Sequence, residues 1–248
     1  MLLGQYGMRA IRMDKLYIVM PAYNEEDNIN NVVSQWYPVL EGKDEESRLI
    51  IADGGSKDNT LRILYDLCEQ YPKLVVESKP GTDHGTKVWY LYDYAIKQGV
   101  DYVFQTDSDG QTNPAEFEKF WKLRNKYDAV LGNRSDREDG SDRVFVENVL
   151  RFFLRVFFGA NVPDANAPFR LMKTDLVKKY LYKLPSDFNL PNAMLCAYFA
   201  HFKENVTYVH VTFRPRQGGE NFMNPKRILE IGWQSISNFS KLRKELKR

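Results

Sequence analysis

The sequence predicts an α/β domain built on a mostly parallel sheet with helices on both faces. Three observations carry that expectation. Short apolar runs of strand length alternate with amphipathic segments of helical length. The runs end in loops crowded with acidic, amide and hydroxyl side chains. The chain has 248 residues, 43% of them hydrophobic, enough for one large domain or two small ones.

The apolar runs fall at residues 16–22, 48–52, 74–77, 102–106 and 129–132, and the amphipathic segments between them at 26–40, 59–70, 85–98 and 114–125. Strand and helix in strict alternation imply parallel pairing through right-handed crossovers. Ligands of such sheets bind beyond the carboxyl ends of the strands. The loops to inspect are therefore Pro21-Ala22-Tyr23-Asn24-Glu25-Glu26, the stretch from Asp53 to Thr60, Asp107-Ser108-Asp109-Gly110-Gln111, and Asn133-Arg134.

The second half is less regular. Residues 142–159 predict a helix on which Arg143, Glu147, Arg151 and Arg155 recur every four residues among aromatic neighbours. Two readings stand: a buried helix with one wet face, or an interfacial helix on lipid or a long acyl ligand. A turn at 163–168, two helices and a strand at 206–213 follow, then an Arg/Gly loop at 214–221. Residues 1–14 read as an N-terminal extension and 226–248 as a basic C-terminal helix.

Charge and cysteine content narrow the function classes. Formal net charge is +2, too balanced to predict a nucleic-acid partner. Seven of the basic residues crowd into 226–248, among them Lys226 and Arg227, which suits either a helix end or an anionic bilayer surface. Cys68 and Cys196 make no disulfide framework and no zinc motif, so reduced thiols in the cytoplasm are expected. No secretory leader and no uninterrupted apolar span are seen, and peripheral contact with the cytoplasmic membrane face is the most membrane association expected.

The strongest chemical signal is Asp107-Ser108-Asp109. Two carboxylates at i and i+2 on a turn after a buried strand can share one hard cation, and Gln111 adds an amide oxygen from the same side. Mg2+ or Mn2+ bridging substrate phosphates is the expected cofactor. Asp53 ends the second strand, where a carboxylate can accept hydrogen bonds from a base or ribose, while Asp58 or Ser56 suits a helix cap. No Rossmann glycine fingerprint and no P-loop occur. His84 after the third strand is a candidate for the same pocket, and Tyr90, Tyr92 and Tyr94 are assigned to helix packing.

These residues carry a resemblance. PAYNEE, ADGGSKDNT and DSDGQ at the ends of the first, second and fourth strands resemble the family 2 glycosyltransferases of the GT-A fold. DSDGQ, Gly132-Asn133-Arg134, the segment Asp164 to Arg170, and Arg216 to Asn221 are similar to motifs of dolichyl-phosphate mannose synthases and bacterial polyprenyl-phosphate glycosyltransferases. The resemblance implies a domain over 15–225, with a nucleotide-binding half at 15–112 and an acceptor half at 113–225. It implies an inverting, metal-dependent enzyme that moves a sugar from a UDP- or GDP-sugar to a polyprenyl phosphate. It assigns Pro21, Ala22, Tyr23, Glu25, Asp53, Asp107 and Ser108 to the nucleotide and Asp107, Asp109 and Gln111 to the metal. Arg134, Arg143 and Arg170 would bind the acceptor, with Asp164, Arg134 and Arg216 at the reacting groups. Asn221 and Phe222 depart from the serine and lysine of that pattern.

Alternatives differ in the acceptor or in the class of protein. A saccharide hydroxyl in polysaccharide or lipid-linked oligosaccharide assembly would need a general base, for which Asp164 or Asp136 is the candidate. A nucleotidyltransferase would need a glycine-rich basic loop after the first strand, where PAYNEE is acidic. A non-catalytic nucleotide-sugar binding protein would have no use for Asp107, Asp109 and Gln111 together.

Overall fold

A computed structural model describes residues 13–78, 83–134, 141–159 and 161–214, with side chains left out at 141–149. The strands are β1 (Leu16–Ala22), β2 (Arg48–Asp53), β3 (Leu74–Ser78), β4 (Tyr102–Thr106), β5 (Ala129–Asn133), β6 (Phe169–Lys173) and β7 (Val206–His210). The helices are α1 (Ile29–Trp36), α2 (Thr60–Gln70), α3 (His84–Lys97), α4 (Phe117–Leu123), α5 (Ser141–Phe158), α6 (Thr174–Leu181) and α7 (Pro191–His201). They build one mostly parallel seven-stranded sheet in the order β3-β2-β1-β4-β6-β5-β7. The expected N-terminal extension lies almost wholly, and the basic C-terminal helix wholly, outside the described residues.

Alternation along each strand sorts the core into two layers. Leu16, Ile18, Met20, Leu49, Ile51 and Phe104 face α1, α2 and α4, where Trp36, Leu64 and Phe120 meet them. Tyr17, Val19, Ile50, Val103 and Met172 face the other way, onto α3, α6 and α7. Both faces of β1 are buried, as a central parallel strand requires.

One strand was not legible in the sequence. β6 enters antiparallel between β4 and β5, with Gln105 opposite Arg170 and Leu131 opposite Arg170 on the other side. The sequence reading gave this stretch only as a motif after a turn. The strand places Arg170, expected to bind the acceptor, inside the sheet. As the second residue of a central strand it points with Met172 into the layer under α3 and α7 and is 1% exposed.

Segment 26–40 forms α1 followed by a 3-10 turn at Tyr37–Leu40, because Pro38 supplies no amide hydrogen to continue the helix. Asp58 accepts from the backbone and hydroxyl of Thr60 (3.0 and 2.6 Å) and from the Glu26 amide (3.1 Å), which ties the β1 loop to the entry of α2; the cap position expected of Asp58 or Ser56 falls instead to Asn59, whose side chain makes no capping bond.

Candidate active site

The carboxyl ends of β1, β2, β4 and β5 lie along one edge, and hydrogen bonds tie their loops into a single surface. The β1 and β2 loops are zipped together. Asn24, at φ 53°, donates its amide to Ser56 Oγ (2.9 Å) and accepts from the Lys57 amide at Oδ1 (2.8 Å). Glu25 donates its amide to Thr60 Oγ1 (2.7 Å), and its buried carboxylate accepts from Asn28 Nδ2 (2.8 Å). The β4 loop is pinned to β1 by Ser108, whose buried hydroxyl donates to the Pro21 carbonyl at 2.8 Å.

Asp53 is fully buried. One of its oxygens accepts from the amides of Gly55 (2.8 Å) and Ser56 (3.1 Å), and the other from the Ser56 hydroxyl. The carboxylate that the sequence offered to a base or ribose therefore shapes its own turn, with Gly55 at φ 80° completing it.

A cation that the sequence reading missed sits among these groups. Lys87, 4% exposed, reaches from the first turn of α3 to donate to the Ala22 carbonyl (3.1 Å), and its ammonium lies 5.2 Å from the Tyr23 ring centre. Burial pushes its pKa down, and the charges of Asp53, Asp107, Asp83 and Glu25 work against that shift. A lysine on the buried side of an amphipathic segment was the signal available.

Asp107 opens the acidic turn. Its Oδ1 accepts from Gln105 Nε2 (3.1 Å) and meets His84 Nε2 at 2.9 Å. The His84 side chain is half exposed; desolvation around its ring works against the charged imidazole, but the charge and hydrogen bond of Asp107 outweigh it and raise the pKa above its ordinary value. Asp109 Oδ1 accepts from the Gln111 amide (3.1 Å), with Gly110 at φ 73° completing the turn. Gln111 is held twice by Arg214: its Nε2 donates to the Arg214 carbonyl (2.8 Å) and its carbonyl accepts the Arg214 amide (2.9 Å). With its nitrogen so used, the side chain keeps its oxygen as an acceptor.

These donors fit a hard divalent cation: two carboxylates and an amide oxygen on one short turn, with no thiolate. Among the described residues no group of three or more His, Cys, Asp or Glu side chains forms a ready cage. The set suits an ion shared with substrate phosphates rather than one fully wrapped by protein.

At the other end of the edge, Arg134 and Asp164 meet each other. Nε and Nη2 of Arg134 donate to the two Asp164 oxygens at 2.7 and 2.9 Å, and the pair is buried. The Phe213 ring lies 5.0 Å from the guanidinium. Arg216 and Asp136 lie outside the described residues, as does the side chain of Arg143.

The model of the family described as glycosyl transferase family 2 matches residues 17–181. The chain belongs to glycosyl transferase family 2. It is 24% identical over 221 residues to an undecaprenyl-phosphate 4-deoxy-4-formamido-L-arabinose transferase of Pseudomonas syringae pv. syringae, covering 89% of this chain and 64% of that protein. A Photorhabdus laumondii protein of the same name is 23% identical, with 68% and 52% covered. The chain thus spans half to two thirds of these relatives' length. Among solved structures, glucosyl-3-phosphoglycerate synthase of Mycobacterium tuberculosis, bound to Mn2+, UDP and glucosyl-3-phosphoglycerate, superposes with TM-score 0.68 at 16% identity, covering 93% of this chain and 80% of that one. That likeness establishes the fold, the GT-A arrangement expected from the motifs.

Proposed function

We propose that this family 2 glycosyltransferase moves a sugar from a UDP- or GDP-sugar onto a polyprenyl phosphate, with inversion at the sugar carbon, in a domain spanning 15–225. The carrying observation is the turn Asp107-Ser108-Asp109-Gly110-Gln111, fixed from three sides by Gln105, Pro21 and Arg214. A Mg2+ or Mn2+ held there would supply positive charge to the departing diphosphate. Asp107, Asp109 and the Gln111 amide oxygen hold that ion, Tyr23 and Lys87 lie beside the nucleotide, and the zipped β1 and β2 loops form its floor. The Mn2+ and UDP bound by the M. tuberculosis enzyme support the cofactor and favour uridine.

In the transfer, an acceptor phosphate oxygen bonds to the sugar carbon on the face opposite the diphosphate. The carbon–oxygen bond to the β-phosphate breaks, and its electron pair leaves with the nucleoside diphosphate. A phosphate monoester is already anionic at pH 7, its second pKa being about 6, so no base has to remove a proton. This favours the lipid phosphate over a saccharide hydroxyl. Both oxygens of Asp164, one of the two bases (with Asp136) that a hydroxyl acceptor would call on, are bonded to the Arg134 guanidinium. Taking up a proton would break that pair.

Membrane contact is supported by α5, on which Phe152 (62% exposed) and Val156 (51% exposed) stand beside the exposed Arg151 and Arg155. Apolar side chains flanked by arginines suit an anionic lipid surface. Among the described residues no helix is long and apolar enough to cross a membrane.

The test offers UDP- and GDP-sugars with Mn2+ to undecaprenyl phosphate, undecaprenol and a panel of oligosaccharides. Sugar transfer to the phosphorylated lipid alone is expected. Transfer to an oligosaccharide hydroxyl with none to the lipid phosphate would replace this reading with the hydroxyl-acceptor one.

A further inference from the structure

Beneath Asp107 lies a chain of buried polar side chains all pointing one way. The Tyr92 hydroxyl, on α3, donates to Asn192 Oδ1 at 2.7 Å. Asn192 Nδ2, in the first turn of α7, donates to Gln105 Oε1 at 3.0 Å. Gln105 Nε2, on β4, donates to Asp107 Oδ1 at 3.1 Å. Tyr92 and Gln105 are fully buried and Asn192 is 2% exposed, so water does not substitute for these partners. Burial pushes the Tyr92 phenol well above its ordinary value, so it stays a donor. Each amide uses its oxygen toward Tyr92 and its nitrogen toward Asp107. Reversing Gln105 would set like groups against each other at both ends, and reversing Asn192 would set its oxygen against Gln105 Oε1.

We infer that Gln105 and Asn192 are positioning residues that fix the Asp107 carboxylate for the divalent cation. The inference rests on the reading of Asp107 as a metal ligand and extends it to side chains that never touch the ion. Gln105 and His84 both engage Oδ1, which leaves Oδ2 as the oxygen turned to the ion. Donors aligned head to tail in a dry interior polarise one another, and that strengthens the last bond, onto the carboxylate.

The surroundings favour this arrangement. Gln105 lies opposite Arg170 in the β4–β6 pairing, so both side chains enter the same buried layer. Arg170 Nη2 donates to the Cys196 sulfur, while Nε and Nη1 have no hydrogen-bond partner among the described residues. Burial pushes the Cys196 thiol up, so the thiol does not neutralise the guanidinium. The relay also joins three elements. α3 supplies Tyr92 and His84, α7 supplies Asn192, and β4 carries Gln105 into the turn. The contact is close because Gly85 at the start of α3 sits against the Asn189 backbone just before α7.

The test titrates Mn2+ onto wild type, Gln105→Leu, Asn192→Leu, Asn192→Asp and Asp109→Ala. Free Mn2+ is read by electron paramagnetic resonance with and without UDP, and melting temperature is recorded in EDTA. Side chains that orient a metal ligand are worth about 10–100-fold in metal affinity. Gln105→Leu and Asn192→Leu are expected to weaken Mn2+ at least about 10-fold. Asn192→Asp matches asparagine in size but cannot donate, so it draws Gln105 Nε2 away from Asp107. It is expected to weaken Mn2+ as well; its buried carboxylate lowers the melting temperature in EDTA, but no packing volume is lost, so loss of packing does not explain the weaker binding. It also keeps the test open if Asn192→Leu folds poorly. If Asp109→Ala loses Mn2+ while the relay variants bind like wild type, the relay is overturned and the metal reading stands. Undiminished Mn2+ binding by Asp109→Ala overturns the metal reading and the relay with it.

Discussion

Arg134 and Asp164 form a two-pronged ion pair that fastens the end of β5 to the turn before β6. Both side chains are nearly fully buried, so neither charge has water to fall back on. Removing one partner of such a pair costs about 3–5 kcal/mol, because the other is left charged in the interior. Asp164→Ala is therefore expected to lower unfolding free energy by about that amount in urea titrations at pH 7. A loss under about 1 kcal/mol would mean that the pair is solvated, like a surface bridge.

Asp58 gives a prediction in pH. Burial works against its charge, but bonds from Thr60 and the Glu26 amide outweigh it and hold the pKa below the usual 3.8. A carboxylate with a depressed folded pKa contributes stability above its unfolded pKa and loses it as pH falls through the folded value. Asp58→Ala should cost about 1 kcal/mol from pH 5 to 8, as the loss of a typical intramolecular hydrogen bond does. The gap to wild type should close as pH drops below 3.8. A gap that stays constant down to pH 2 would show that the carboxylate's charge is not what is lost.

Gly85 is required by a close approach. A Cβ there would lie 2.0 Å from the Asn189 carbonyl oxygen, a backbone atom that cannot swing aside. Gly85→Ala is expected to cost about 1–3 kcal/mol by overpacking. It should also displace the first turn of α3, which carries His84 and Lys87. Calorimetric unfolding checks the first effect, and weaker UDP binding with Mn2+ checks the second.

Much of this arrangement was legible in the sequence. The first five strands and the loops at their ends followed from apolar runs and turn residues, because both signals are local. β6 was hidden because Phe169–Lys173 is short and its pairing partners are distant in sequence. The role of Arg170 was hidden with it: strand alternation places Arg170 inside once β6 is known, whereas an arginine read alone suggests an anion ligand. Gln105 left a trace as a polar residue in the apolar run YVFQT. Asn192 and Tyr92 left none, since only the meeting of α3 with α7 gives them partners. The motif residues Asp53 and Ser108 were found at the right edge, but their hydrogen bonds turn inward to shape the loops, which residue type alone does not reveal.

The most direct test of the central claim, a metal-dependent nucleotide site at Asp107 and Asp109, is thermal unfolding with UDP or GDP in Mn2+ and in EDTA. At 100 times Kd a ligand adds about 2.7 kcal/mol, or about 5–10 °C for a chain of this size. Such a rise is expected with one nucleotide in Mn2+, none in EDTA, and none for Asp109→Ala. No rise with either nucleotide, or an equal rise in EDTA, would contradict the claim.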